Sequence, residues 1–209
     1  MAKLTGKKAL VKVSGTALTL TAEPTTDPGA HLVYQITNAA KRVLDPLAAV
    51  VVKEDGVTSV AVWTINRLNG TVTFAVARGP AVVVTVSGSY LPMTTALACT
   101  EWTMNLTGQN ADVSSYDSLG WVERLPIFKD ATGSVKSWRD TVDRTWENAL
   151  IAGTPIVLAL YTNNAGNPDF LLWVELNKQQ VQAALKSAQA QSIDFEGAAD
   201  ADNRVLSAA

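Results

Sequence analysis

The sequence predicts a mainly β protein with one α-helix in its second half. Apolar and polar residues alternate over 71–76, and 82–86 is dense in β-branched residues, two patterns typical of strands. The dipeptides Asp55-Gly56 and Asn69-Gly70 each lie between two such runs. Both are strong hairpin signals, because their residues tolerate positive φ. Short strands joined by tight turns therefore account for the first hundred residues.

Further strands are predicted from the same patterns and from the turn residues that bound them. Before residue 100 the predicted strands cover 9–21 with a bulge or a break at Gly15, 34–37, 48–53, 59–66, 71–76 and 82–86. After residue 100 they cover 101–106, 135–138, 156–161, 170–176 and 193–197. The segment 163–168 is rich in Asn, Gly and Pro and is predicted to be an exposed loop.

The helix is predicted over Thr141–Ala152. Asp140 or Thr141 can cap its first turn. An apolar stripe at helical spacing is formed by Val142, Trp146, Ala149 and Leu150. Gly153 is suited to the left-handed residue that ends a helix, and Pro155 prevents its continuation.

The composition excludes several classes of protein. The chain has 209 residues, of which 47% are hydrophobic and 17% charged, with a formal net charge of −2. The sequence therefore lacks the excess of basic residues that is typical of nucleic-acid-binding proteins. A surface with few charged residues suits a protein that buries much of its surface against other copies of itself. Cys99 is the only cysteine, so no disulfide within the chain is expected, and a buried structural thiol is predicted. No membrane span is predicted, because no apolar run approaches eighteen residues. No signal peptide is predicted, because no apolar segment follows the basic residues near the N-terminus.

No catalytic site, metal site or cofactor is predicted. His31 is the only histidine, and no second His or Cys lies at ligand spacing from it. A Gly-x-Ser-x-Gly nucleophile motif is also missing. A carbohydrate platform built from tryptophans is an alternative, but core or interface packing is favoured for those that lie among apolar positions. These are Trp102, Trp121, Trp138 and Trp146.

Two segments of the sequence resemble each other. Residues 11–21 and 84–94 both contain Val-x-Val-Ser-Gly followed by Ser or Thr. One interpretation is that this is a common strand-to-turn sequence. The other is that the two segments form equivalent strands at opposite edges of one sandwich.

The stretch 111–140 contains an ordered series of features. Asp-Val-Ser-Ser-Tyr is followed, five residues after the Tyr, by Trp121, then by Asp-Ala-Thr-Gly-Ser and by Trp-Arg-Asp. This order resembles the central stretch of the tail tube (major tail) proteins of long-tailed bacteriophages, and the resemblance covers 102–160. The segment Pro126-Ile127-Phe128 replaces the Gly-Leu of the family, and Thr132 replaces a Ser of its turn.

The resemblance implies two packed antiparallel sheets, a β-sandwich or barrel, flanked by the helix. It implies a single tail-tube-like domain over 1–209, with an N-terminal β-rich half of about 1–98, a C-terminal half of about 99–197 and a tail at 198–209. The segment Lys178–Gln191 fits helical and strand spacings equally well. The resemblance favours a strand or hairpin there.

The resemblance also implies a structural virion protein and not an enzyme. Tail tube proteins form hexameric rings that stack into a tube, through which DNA passes without specific binding during ejection. Tape measure and tail terminator proteins are the further partners that it implies. The expected location is the virion, after assembly in the bacterial cytoplasm. Alternative functions are another phage structural protein, such as a head decoration or tail terminator protein, and a carbohydrate-binding β-sandwich.

Site residues are predicted for each surface of such a subunit. A lumen that passes DNA should not attract it, so acidic residues of the C-terminal strands are expected to line it. The predicted lumen residues are Glu175, Asp194 and Glu196. The lysines predicted to lie at subunit interfaces are Lys7, Lys8 and Lys41. The residues predicted to pack in the core or beneath the helix are Trp102, Trp146 and Leu150.

Overall fold

The chain is mainly β, as predicted, with two antiparallel sheets and one α-helix in the part that the structure describes. The structure is a computed structural model. It describes residues 10–96, 98–114, 122, 124–139, 144–163, 166–183, 189–202 and 205–208.

The strands of the first half of the chain are short. They are β1 (Leu10–Ser14), β2 (Leu18–Thr26), β3 (Val33–Ile36), β4 (Val51–Glu54), β5 (Val57–Thr58), β6 (Trp63–Asn66), β7 (Thr71–Phe74), β8 (Val84–Tyr90) and β9 (Met93–Thr95). The second half contains longer strands and the helix. These are β10 (Cys99–Asp112), β11 (Arg124–Trp138), α1 (Thr145–Ala152), β12 (Ile156–Tyr161), β13 (Phe170–Gln182), β14 (Ala190–Gly197) and β15 (Leu206–Ala208).

The smaller sheet is built from the continuous stretch 18–90. Its seven strands lie in the order β5-β4-β8-β2-β3-β7-β6. The hairpin predicted at Asp55-Gly56 is confirmed: both residues have positive φ, 50° and 84°, which suits the tight turn between β4 and β5. The hairpin predicted at Asn69-Gly70 joins β6 and β7. Its core contains Ile36, Val52 and Phe74, all almost completely buried.

The larger sheet contains eight strands, in the order β10-β11-β14-β13-β12-β1-β9, with β15 also paired to β13. Strands β1 and β9, which lie within the predicted N-terminal half, belong to this sheet. Every residue of β12 is buried, so both faces of the sheet are covered at its centre. Trp102 of the edge strand β10 donates a hydrogen bond to the carbonyl oxygen of Tyr161 in β12 (3.2 Å). Three strands separate β10 from β12 in the sheet order, so this contact shows that the sheet is curled.

One face of the larger sheet forms the main core with α1. Trp146 is 5% exposed and packs with Leu158, Val174 and other buried residues of this core. The helix begins at Thr145 and not at Thr141; Arg144 occupies the N-cap position without a side-chain cap. The predicted caps, Asp140 and Thr141, lie outside the described residues.

The end of the helix follows the prediction. Gly153 has the left-handed φ of 59°, and its N–H donates to the Leu150 carbonyl oxygen at 3.4 Å. A residue with a β-carbon would be strained in this conformation, which is why glycine is favoured there.

The opposite face of the larger sheet joins the smaller sheet. Val157 and Trp173 pack against Val43 and Leu68 in a separate apolar cluster. The C-terminal segment reinforces this contact, because Asp202 accepts a hydrogen bond from the buried Arg67 at 3.2 Å. Side chains from both sheets are therefore removed from water together.

The two similar segments pair with each other. In the larger sheet β1 pairs with β9, and in the smaller sheet β2 pairs antiparallel with β8. Between the two ladders, the Gly15 N–H donates to the Pro92 carbonyl oxygen at 2.8 Å. The segments 11–21 and 84–94 thus cross from one sheet to the other side by side, and the interpretation as equivalent strands at opposite edges of one sandwich is wrong.

The ambiguous segment Lys178–Gln191 is strand at both of its ends. Strand β13 continues to Gln182, β14 starts at Ala190, and Val181 pairs in register with Gln191. Residues 184–188 lie outside the described part of the chain. Pairing with a neighbouring strand outweighs the helical propensity of the Gln-rich sequence.

Strands β10 and β11 extend beyond the rest of the sheet. Strand β14 pairs only with Thr132–Trp138 of β11, whereas β10 and β11 continue to pair as far as Asp112 and Arg124. Residues 106–112 and 124–131 therefore form a two-stranded projection, called the arm below. Leu106 and Leu125 are 56% and 57% exposed on it.

Candidate functional site

The outward surface of β10, β11, β14 and β13 is polar. Inward side chains such as Val135, Ile193 and Phe195 belong to the main core, and the residues between them point the other way. Neighbouring outward positions on β10 and β11 hold Thr103 and Ser134, whose hydroxyl groups are hydrogen-bonded at 3.0 Å. We call this surface the polar face.

The structure brings the three predicted lumen residues together on the polar face. Glu175 of β13 lies directly opposite Glu196 of β14 in register. Asp194, two residues before Glu196, points to the same side of the sheet and is paired in register with Lys178. Like charges directly opposite each other destabilise a sheet, so the Glu175–Glu196 pair is unfavourable for folding alone.

The charged residues of the polar face are predominantly acidic. Outside the arm they are Glu101, Lys136, Glu175, Lys178, Asp194 and Glu196. Glu101 and Lys136 form an exposed ion pair with an N–O distance of 3.0 Å. Four carboxylates against two ammonium groups leave a net negative charge on the surface.

Strand β10 forms one edge of the larger sheet and borders the polar face. It is 14 residues long and pairs with β11 on one side. The opposite edge is formed by the three-residue strand β9. A long edge strand presents unpaired N–H and C=O groups that can bind a strand of another chain.

The residues predicted at subunit interfaces have different positions. Lys41 forms an ion pair with the mostly buried Glu23 of its own chain, with an N–O distance of 2.6 Å. This hydrogen bond raises the pKa of Lys41, since it stabilises the ammonium form. Lys7 and Lys8 lie outside the described residues.

The residues predicted to pack differ in burial. Trp146 is buried, and Leu150 is half-buried against the main core. Trp102 is half-buried and contacts the Phe170 ring edge-on, with the ring centroids 6.2 Å apart. Trp138, in contrast, is 48% exposed at the end of β11.

The described residues contain no cluster of three or more His, Cys, Asp or Glu able to hold a metal ion. His31 lies against Asp27, which also accepts hydrogen bonds from the backbone of Gly29 and His31. Burial raises the pKa of the Cys99 thiol to about 11, so the thiol is protonated at neutral pH and is a poor nucleophile. Across the described ranges, no helix has the length and hydrophobicity needed to cross a membrane.

Two features of this surface are not predicted by the sequence. The register that places Glu175 opposite Glu196 depends on a shift after Leu176, which no local pattern indicates. The sequence predicts this strand only over 101–106, whereas β10 continues to Asp112 through a half dominated by Thr, Gly, Gln and Asn. Thr103, Asn105 and Thr107 place a polar residue at every second position, and this spacing is the signal in the sequence that indicates a longer strand.

Comparisons with known proteins gave structural similarities only. No family model and no curated protein matches the chain. The tail of an empty gene transfer agent particle, refined with helical C6 symmetry, matches with a TM-score of 0.47 and 14% identity, covering 56% of this chain and 87% of that chain. The virion of a native gene transfer agent particle matches with a TM-score of 0.46 and 13% identity, covering 56% and 88%.

Proposed function

We propose that the chain is a structural virion protein, the subunit of a phage tail tube, which assembles as hexameric rings stacked into a conduit for DNA. The observation that supports this function best is the polar face, where an acidic surface borders a long edge strand. A surface of this kind can close into a ring whose inner wall repels DNA.

The edge strand gives the reason for ring formation. Among the described residues, the outer edge of β10 has no neighbouring strand in the isolated chain, and such edges promote association. Strands joined from subunit to subunit around a closed ring remove every edge. Cyclic assembly also stops growth at a fixed number of copies, unlike an open edge-to-edge fibre.

The charges on the polar face support its placement toward the lumen. Duplex DNA is densely negative, and each lysine or arginine that neutralises a phosphate adds salt-dependent affinity. Six copies in each of many rings would multiply even a weak attraction. Glu175, Asp194 and Glu196, exposed or half-exposed on this face, would keep the passing DNA from binding.

The remaining expectations belong to the same proposal. The whole chain would act as one tail-tube-like domain with no catalytic role and no cofactor. Its further partners would be the tape measure and tail terminator proteins, and it would reach the virion after assembly in the host cytoplasm. Lys7, Lys8 and Lys41 would lie at subunit interfaces, and Lys41 is in addition paired with Glu23 of its own chain.

Electron microscopy of the purified full-length chain tests this function. Negative staining at increasing protein concentration should show tubes of constant width with six-fold end views. Monomers or isolated trimers at every concentration would contradict the tube and favour another virion component. Retention of the chain on a polysaccharide column, without tubes, would favour the carbohydrate-binding alternative.

A further inference from the structure

A second unpaired strand edge borders the polar face, on β13. Strand β12 lies on one side of β13 and pairs with it only over Phe170–Val174. Strand β14 lies on the other side and pairs with β13 as far as Gln182. The third partner, β15, pairs with Phe170–Leu172 and does not reach beyond them. Among the described residues, 175–182 therefore have no neighbouring strand on the side opposite β14.

The helix does not take the place of the missing strand. Trp146 and Ala149 of α1 pack in the main core together with Leu176, so the helix lies against the inward face of β13. An α-helix satisfies its own backbone N–H and C=O groups except at its ends. The backbone groups on the outer edge of 175–182 therefore remain open to a strand of another chain.

This edge of β13 and the outer edge of β10 lie at opposite sides of one four-stranded layer. The strands of the layer follow the order β10-β11-β14-β13, and each pairing is antiparallel. Three reversals of direction make β13 antiparallel to β10. A row of residues paired in register crosses the whole layer, beginning at Thr103 on β10 and ending at Lys178 on β13.

The strand directions fit a second copy placed beside the first. Rotation about an axis that runs roughly along the strands keeps their directions and keeps the polar face on the same side. Strand β10 of the second copy then meets β13 of the first in antiparallel orientation, and the alternation continues without a break. Neither 99–112 nor 170–182 contains a proline, so every residue along both edges has an N–H donor.

Other edges of the described chain suit β10 less well. Strand β10 has 14 residues, whereas the edge strands β9, β5 and β6 have three, two and four. In the arm, residues 124–131 of β11 also lack a described partner on the β14 side. Pro126 lies among them and has no N–H to donate. The stretch 175–182 is therefore the best match for β10 in length and in hydrogen-bonding groups.

We infer that residues 175–182 of β13 form the docking edge for strand β10 of a second copy of this chain, in antiparallel pairing. The inference rests on the proposed function and deepens it, because it names the two edges through which copies join. Each copy offers β10 to one neighbour and β13 to the other. Such a head-to-tail contact closes into a ring when the rotation between copies allows it.

Disulfide trapping between separate chains tests the pairing in a Cys99→Ala background. One chain carries Lys178→Cys, and a second chain carries Glu101→Cys, Thr103→Cys or Asn105→Cys. These three positions differ by two residues, so each corresponds to a register that keeps the polar faces on the same side. Residues directly opposite each other in antiparallel strands have Cβ atoms about 4.5–5.5 Å apart, a separation that a disulfide can bridge after small shifts. One of the three mixtures should give a covalent heterodimer on oxidation, which also fixes the register.

A Thr95→Cys chain is the matched control. Thr95 is an exposed residue of β9, the opposite edge of the larger sheet, and should not link to Lys178→Cys. The substituted side chains of β10 and β13 are also exposed, so the variants should fold as the parent chain does. Homodimers linked through the β10 cysteine alone would show that two β10 strands pair around a two-fold axis. That result, or a link from Thr95→Cys to Lys178→Cys, would overturn the inference.

A chain that carries both linking cysteines separates the inference from the proposed function. It should give a ladder of covalent oligomers on a non-reducing gel that ends at six chains, because a closed ring leaves no edge unpaired. A ladder that continues beyond six would support the pairing of the two edges and contradict the hexameric ring. Tubes in which none of the three β10 positions links to position 178 would overturn the pairing and leave the tube intact. Absence of both links and assembly at every concentration would overturn both.

Discussion

At the scale of single residues, Trp146 is the anchor of the helix. Its side chain is 5% exposed in the main core. Trp146→Ala should lower the free energy of unfolding by about 3–5 kcal/mol, because it leaves a large cavity beneath α1. Ile151→Ala, at an 84% exposed position of the same helix, is the control and should have little effect. Equal denaturation midpoints for the two variants would show that the helix does not pack through Trp146.

Gly133 lies where the sheet leaves no room for a side chain. A β-carbon there would approach the Thr103 carbonyl oxygen to 2.2 Å and the Phe195 ring to 2.5 Å. Gly133→Ala should therefore destabilise the chain by about 1–3 kcal/mol through overpacking. Gly108→Ala is the matched control, because a β-carbon at Gly108 meets no atom within 4 Å. Thermal denaturation of both variants measures the difference in their stabilities. Equal stabilities for Gly133→Ala and Gly108→Ala would show that Phe195 does not cover Gly133.

The Cys99 thiol should react slowly with alkylating reagents. Burial raises its pKa to about 11, from an ordinary value of 9.0. At pH 8 its thiolate fraction should be roughly a hundredfold lower than that of an exposed cysteine, and only the thiolate is nucleophilic. The rate of iodoacetamide modification should keep rising up to about pH 11. A plateau near pH 9 in the folded chain would show that the thiol is exposed.

At the scale of elements, the pairing of β13 with β14 places two carboxylates opposite each other. Glu196→Gln should stabilise the isolated chain by about 0.2–1 kcal/mol, because it removes the repulsion from Glu175. Glu101→Gln on the same face should instead destabilise by a similar amount at most, because Glu101 is paired with Lys136. Chemical denaturation at low salt should show that the free energy of unfolding rises in Glu196→Gln and falls in Glu101→Gln. A loss of stability in Glu196→Gln would mean that the pair is not repulsive.

Elements with strong local signals were the predictable part of the fold. The turn at Asp55-Gly56, the buried strand β12 and the end of the helix at Gly153 follow from the chemistry of their own residues. The start of the helix and the length of β10 do not. Pairing with β11 extends β10 through a polar sequence, and this stabilisation comes from another part of the chain.

At the scale of the whole molecule, the arrangement of the sheets depends on contacts between distant residues. The similarity of 11–21 and 84–94 is visible in the sequence, but their pairing with each other is not. The sequence predicts Glu175, Asp194 and Glu196 together as acidic residues of the C-terminal strands. Their position on one face depends on the register between β13 and β14, which a shift after Leu176 sets.

We propose that the polar face lines the bore of a tube. The most direct measurement is a cryo-electron microscopy reconstruction of tubes assembled from the full-length chain, with the electrostatic potential calculated along the bore. We expect six-fold rings in which Glu175, Asp194 and Glu196 face the lumen and the potential is negative or neutral throughout. A continuous positive lining, or a polar face turned to the outside of the tube, would contradict the account.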